Sequence, residues 1–217
     1  MALTTLSIDG LTITHLGLIE YETALEMQRD LHQRVVAGEA PHTLLLLEHP
    51  SIYTAGKRTL DDERPRNGSR VIDVDRGGKI TWHGPGQLVG YPIIALREPH
   101  ELVGFVRTLE GALIAICKEL GISTQRIEGR SGVWVVDDAG ARKIAAIGIR
   151  IAQGVSMHGF ALNVNPDLSP FEEIIPCGIS DAAVTSLSKE SGREIEIAEI
   201  TEVVERHMAL AIKEVAR

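Results

Sequence analysis

The chain has 217 residues, 22 of them basic and 30 acidic, for a formal net charge of -8 at pH 7. Its length suffices for one domain over 1–217 with a sizeable core, and 44% apolar against 24% charged residues excludes a disordered or fibrous chain. The acidic balance excludes non-specific nucleic-acid binding, and the want of any apolar run near the roughly 18–20 residues that span a bilayer excludes a membrane-embedded one.

Residues Met1–Gly10 carry no basic start or apolar middle of a signal peptide, so a cytoplasmic location is expected. From Leu18 to Val36 the apolar residues Ala24, Leu25, Met27, Leu31 and Val35 recur at helical steps, predicting a first amphipathic helix that ends near Gly38. Thr43 to Glu48 holds consecutive leucines between Pro41 and Pro50 and is too short for a helix, so it reads as a buried strand. Lys57 to Ser69 is polar and contains Pro65 and Gly68, which predicts an exposed loop. Arg70 to Asp75 and Gln87 to Leu96 read as strands entering and leaving the stretch Arg76 to Pro92.

That stretch is the densest in glycine, with Gly77, Gly78, Gly84 and Gly86 around Lys79, Ile80, Thr81, Trp82 and His83. Glycine costs backbone entropy, so such a run implies a close approach, either of a ligand or of a second piece of backbone. Beyond it, Glu101 to Leu120 is the clearest helix, with Val106, Leu109, Leu113, Ile116 and Leu120 on one stripe. Gly132 to Val136 and Ala141 to Ile151 flank an Asp-Asp-Ala-Gly turn as a hairpin, and Val155 to Val164 is the next strand. Pro166 to Ile179 reads as a loop, and Ile197 to Val215 as a final helix. Helices interspersed with hairpins describe an α+β domain.

Two cysteines without CxxC spacing exclude a disulfide scaffold and a thiolate zinc site. Cys117 lies on the apolar stripe of its helix, where a thiol behaves as a small hydrophobe. Cys177 differs: Pro176 before it and Gly178 after it present the thiol from a tight loop, as a nucleophile requires. An ordinary thiol of pKa about 8.5 also needs a nearby cation or base. Lys143 heads the apolar run Ile144 to Ile149 and is the candidate partner; the alternative is a lysine that snorkels to solvent. His49, His83 and His158 each adjoin Pro or Gly and read as bases, supports or core residues; their spacing predicts no metal.

The run Arg76–Pro92, together with Lys143–Gly148, His158–Asn165 and Pro176–Ile179, resembles the signature of the lipoyl(octanoyl) transferases of lipoate biosynthesis, over roughly Thr43 to Leu187. The resemblance implies the fold of lipoate and biotin protein ligases, a mixed, largely antiparallel sheet flanked by helices. It implies transfer of octanoyl from octanoyl-acyl carrier protein to a lysine of lipoyl domains, those of the acyltransferase (E2) subunits of 2-oxoacid dehydrogenases and of the glycine cleavage H protein. Catalysis would use a Cys177 thioester with Lys143 as acid/base partner, an oxyanion site near Cys177 and Gly178, and no cofactor. Arg76, Gly77, Gly78, Lys79, Ile80, Thr81, Trp82, His83, Ala146, Ile147, Gly148, Gly159, Phe160 and Ala161 would line the acyl channel, with His49, Tyr91 and His158 in support. Lys79, Arg76, Arg150, Lys57 and Arg58 are candidates for a basic patch facing an acidic carrier. Two readings compete: an ATP-dependent lipoate or biotin ligase, and a non-catalytic acyl-carrier-binding protein.

Overall fold

A computed structural model of the chain describes residues 4–98, 100–174 and 183–217; Cys177, with its neighbours Pro176 and Gly178, lies outside them. Strands β1 (Thr4–Ile8), β2 (Leu11–Leu18), β3 (Thr43–Glu48), β7 (Gln87–Ile93), β8 (Gln125–Ile127), β9 (Arg130–Asp137), β10 (Gly140–Ala152) and β11 (Val155–Asn163) form one sheet in the order β1-β2-β3-β7-β11-β10-β9-β8, and β12 (Ala183–Val184) pairs with β10. Pairing is antiparallel except at β2 with β3 and β10 with β12. The mixed, largely antiparallel sheet expected from the sequence is therefore present.

Strand alternation divides the core in two. Leu44, Leu46, Leu88, Phe160 and Leu162 face α2 (Leu102–Glu119) and α4 (Ile197–Val215), whose Leu109, Leu113, Ile116, Val204 and Met208 complete the larger cluster. Leu45, Leu47, Val89, Tyr91, Met157 and Ala161 face the other way, against Tyr21, Ala24, Leu25 and Val35 of α1 (Tyr21–Val36). Cys117 is fully buried in the first cluster, where burial pushes its thiol up to about 12, so it is a core residue as its helical spacing predicts. A short helix, α3 (Leu187–Ser191), is capped by the Ser186 side chain and ends at Gly192 in the left-handed region.

Two sequence expectations change, and one element is new. The first helix starts at Tyr21 rather than Leu18, because Leu18 ends β2 in register with Glu48 of β3. The β1–β2 hairpin has no counterpart in the reading from sequence. The Gly-rich stretch also holds a strand, β6 (Thr81–His83), which with β4 (Ile52–Ala55) and β5 (Val71–Asp73) makes a second, three-stranded sheet.

Candidate active site

The second sheet and the amino-terminal end of α1 lean over β10 and β11 and enclose a cavity of about 210 Å³. Its floor is the cross-strand pair Ala146 and Ala161, followed by the pair Gly148 and Gly159. Thr81, His83, Tyr91, Ile147, Phe160 and Lys143 also line it. Sequence-predicted residues from three of the four segments thus meet around one space.

Strand alternation decides which members of the Gly-rich stretch reach it. Thr81 and His83 point to the cavity, whereas Ile80 and Trp82 point away into a cluster with Tyr53, Phe171 and Ile174. Trp82 stacks edge-on against Phe171 at 5.5 Å and donates to Ser51 Oγ at 2.9 Å. The two residues expected to contact substrate are core residues of the second sheet. Gly77 is likewise withdrawn: its N–H donates to Ile149 O at 3.0 Å, fastening the loop to β10.

The glycines answer both alternatives left open above. Gly78, Gly148 and Gly159 lie on the cavity wall. A methyl group on Gly159 would sit 2.0 Å from Gly90 O, and one on Gly90 would meet the Phe160 ring at 2.2 Å, so these two serve the crossing of strands.

The cations expected on a carrier-facing patch are mostly engaged within the protein. Arg76 is buried; its guanidinium donates to Thr54 O and Thr54 Oγ1 and to the carbonyls of Gly77 and Lys79, at 2.7–3.0 Å, and so shapes the Gly-rich loop. Lys79 is paired with the buried Glu63, and Arg150 with Asp75. Lys57 and Arg58 are exposed, and Arg58 lies at the cavity wall.

Lys143 is buried, with its ammonium 4.6 Å from the centroid of the Trp134 ring and no carboxylate within ion-pair distance among the described residues. It does not snorkel. Next to it β10 carries a bulge between Lys143 and Ala145, and Lys143 is in register with Val184 of β12 while Thr185 N–H donates to Lys143 O at 2.9 Å. The carboxyl-terminal flank of the segment containing Cys177 is thereby held against the lysine.

Two buried histidines, His83 and His158, line the cavity, and a third, His49, stands behind the wall. His49 donates from Nδ1 to Ile19 O at 2.8 Å, which leaves Nε2 to accept the Tyr91 hydroxyl at 2.8 Å. Burial lowers His49 to about 4, and it lowers His83 to about 3 with help from the neighbouring His49 and Arg76. His158, at φ +57°, is a non-glycine residue in the left-handed region inside a strand. Its N–H is bonded by Gln28 Oε1 of α1 at 2.9 Å and its Nε2 by Asp75 Oδ1 at 2.7 Å, so two elements hold it there. Burial lowers its pKa against the opposing pull of Asp75. For Asp75 burial acts upward, but the bond and charge of His158 and the charge of Arg150 prevail and hold the carboxyl below its usual value.

Sequence reasoning missed Tyr21 and the turn Gly129, Arg130 and Ser131, all of which line the cavity. The turn had a signal, since Gly129-Arg130-Ser131-Gly132 repeats the glycine-plus-base composition of the first wall. Tyr21 had none. Among the described residues no three His, Cys, Asp or Glu side chains converge as a metal site, and no helix is long and apolar enough to cross a membrane.

Residues 20–209 match the family described as the lipoyl protein ligase A/B catalytic domain. A protein of Salinispora tropica named octanoyltransferase is 58% identical over 211 residues, covering 96% of this chain and 99% of that one. In fold, a bipartite lipoate protein ligase of Thermoplasma acidophilum superposes with a TM-score of 0.70 at 15% identity, over 93% of this chain and 82% of the other. The biotin protein ligase of Aquifex aeolicus superposes with a TM-score of 0.53 at 15% identity, over 93% and 70%. The chain belongs to the lipoyl protein ligase A/B catalytic-domain family, and within it to the octanoyltransferases.

Proposed function

We propose that this protein transfers an octanoyl group from octanoyl-acyl carrier protein to a lysine of a lipoyl domain, through a thioester on Cys177. One observation carries the reading: Lys143 is buried at the head of a small-residue cavity floor with no carboxylate at ion-pair distance among the described residues, and it is in register with Val184, seven residues after Cys177 in the sequence. A buried ammonium with no fixed counter-charge suits a thiolate partner.

In the first half-reaction Lys143 as ammonium stabilises the Cys177 thiolate, which attacks the thioester carbonyl of the carrier. The new C–S bond forms, a tetrahedral oxyanion passes backbone N–H donors near Cys177 and Gly178, and the carrier sulfur leaves with the proton of Lys143. In the second half the uncharged amine of the target lysine attacks the acyl carbon. Its C–N bond forms, the C–S bond breaks with the electron pair returning to Cys177 Sγ, and the amine proton passes to Lys143. The thioester is already activated, so ATP is not consumed.

The Ala146–Ala161 and Gly148–Gly159 pairs leave room for the straight chain, and burying about seven methylenes at roughly 0.8 kcal/mol each gives about 5–6 kcal/mol of gross binding. Arg58 at the cavity wall and the exposed Lys57 preceding it in the chain are the positions at which an acidic carrier docks. Acceptors of the same chemistry are the lipoyl domains of E2 subunits and of the glycine cleavage H protein, in the cytoplasm.

The test is intact-mass analysis after incubation with octanoyl-acyl carrier protein without ATP. An octanoyl adduct that Cys177→Ala abolishes and Cys117→Ala retains is expected. An unmodified wild type overturns the proposal, and acylation of a lipoyl domain only with free acid and ATP reassigns the chain as a ligase.

A further inference from the structure

The tautomer of His83 is dictated by a relay that begins about a hundred residues away. Thr185 O can only accept, and Asn163 Nδ2 donates to it at 2.9 Å. That orientation leaves Asn163 Oδ1 as acceptor for Gln87 Nε2 at 2.9 Å, and Trp82 O, 3.4 Å from the same Nε2, makes the identical demand. Gln87 must therefore present Oε1 to His83 Nδ1, at 2.7 Å, and Nδ1 must carry the proton. The relay is buried throughout.

Its result is a bare Nε2 lone pair on a residue that lines the cavity, with no hydrogen-bond partner among the described residues. The relay also runs beside Lys143: Gln87, Asn163 and Lys143 surround one small space with Ala146, and Thr185 is bonded to the Lys143 carbonyl. Tyr21 stacks at 6.1 Å and His49 lies edge-on at 5.7 Å, so the ring is clamped on its faces as well. Such second-layer bonding fixes which nitrogen of a functional imidazole is the acceptor.

We propose that His83 Nε2 is the acceptor for an N–H of the incoming lysine amine, aiming the nitrogen lone pair at the acyl carbon in the second half-reaction. This rests on the octanoyl-transfer reading of the site. His83 orients and keeps no proton; the proton released on C–N bond formation still goes to Lys143. Its basicity, held down to about 3 by burial, suits a group that must stay neutral.

The experiment separates the two half-reactions. Wild-type acyl-enzyme, formed from octanoyl-acyl carrier protein and isolated, is chased with a lipoyl domain or with hydroxylamine, a small nucleophile that needs no aiming. For His83→Phe, transfer to the lipoyl domain is expected to fall at least tenfold more than acylation does, while hydroxylamine release stays within about threefold of wild type. His83→Gln, whose amide oxygen reaches toward the Nε2 position, is expected to recover much of the loss. In the unmodified protein, nitrogen-15 spectra of histidine should show His83 protonated on Nδ1 only, from pH 8 to pH 5. Equal losses in both halves, unimpaired transfer by His83→Phe, or a proton on Nε2 would each overturn the proposal. Failure of the wild type to form an acyl-enzyme would instead refute the reading on which it rests.

Discussion

Acid sensitivity should be set by the buried neutral histidines, and His49 is the cleanest place to measure it. In the unfolded chain a histidine titrates near 6.5, whereas His49 in the fold is lowered to about 4 by burial, against the upward pull of its bond to Ile19. Below pH 6.5 the unfolded state binds a proton that the native state refuses, so stability is full above that pH and falls as pH drops toward 4. At about 1.4 kcal/mol per unit, lowering the pH from 7 to 5 removes about 2 kcal/mol through this residue. His83, lowered to about 3, adds a loss of the same size over the same window. The assay is urea denaturation from pH 7 to pH 5, comparing wild type with His49→Gln, whose amide can still meet the Ile19 carbonyl but never titrates. The variant is expected to start less stable and to lose about 2 kcal/mol less than wild type on acidification. Parallel pH profiles would refute the assignment of a buried, neutral His49.

Other consequences are equally direct. Gly159→Ala places a methyl 2.0 Å from Gly90 O and 2.6 Å from Pro92 Cδ, and should cost at least about 1–3 kcal/mol, measured as a lowered denaturation midpoint. Ala161→Leu fills the cavity floor and should favour butanoyl over octanoyl thioesters by at least about tenfold in acyl-adduct formation, read by mass. Lys143→Ala should move the pH profile of Cys177 alkylation to higher pH, while Cys117, buried and raised to about 12, stays unmodified in the folded protein.

The helices and the central strands were legible because each carries a periodic pattern that only one side of the sheet explains: α4 runs over Ile197–Val215 as its spacing predicts, and the leucines of β3 alternate between two cores. The β1–β2 hairpin was not legible, since few of its residues are fully buried and its pairing is set by β3, reached only across α1. At the site, glycine density and isolated Lys143 and His83 marked segments that the fold brings to one cavity. Which glycines face the cavity and which serve strand crossing depends on register, and a one-residue shift exchanges the two faces. Trp82 illustrates the limit: its neighbours Thr81 and His83 line the cavity, while its own side chain packs into the separate cluster of the three-stranded sheet with Tyr53 and Phe171. Arg76 and Lys79 likewise carried charge in the sequence, but their partners Thr54 and Glu63 come from segments that no local pattern connects to them.

The cavity wall draws on α1, both sheets and the turn before β9, from Tyr21 to Ala161 along the chain. No single element or short fragment contains it. Its floor needs β11 in place between β7 and β10 at the centre of the large sheet. Occupancy is then linked to the global unfolding equilibrium, and a ligand present at a hundred times its dissociation constant would stabilise the whole sheet by about 2.7 kcal/mol. Hydrogen exchange of central amides in β2 and β3, which contribute no residue to the cavity lining, would slow on acylation along with those at the wall.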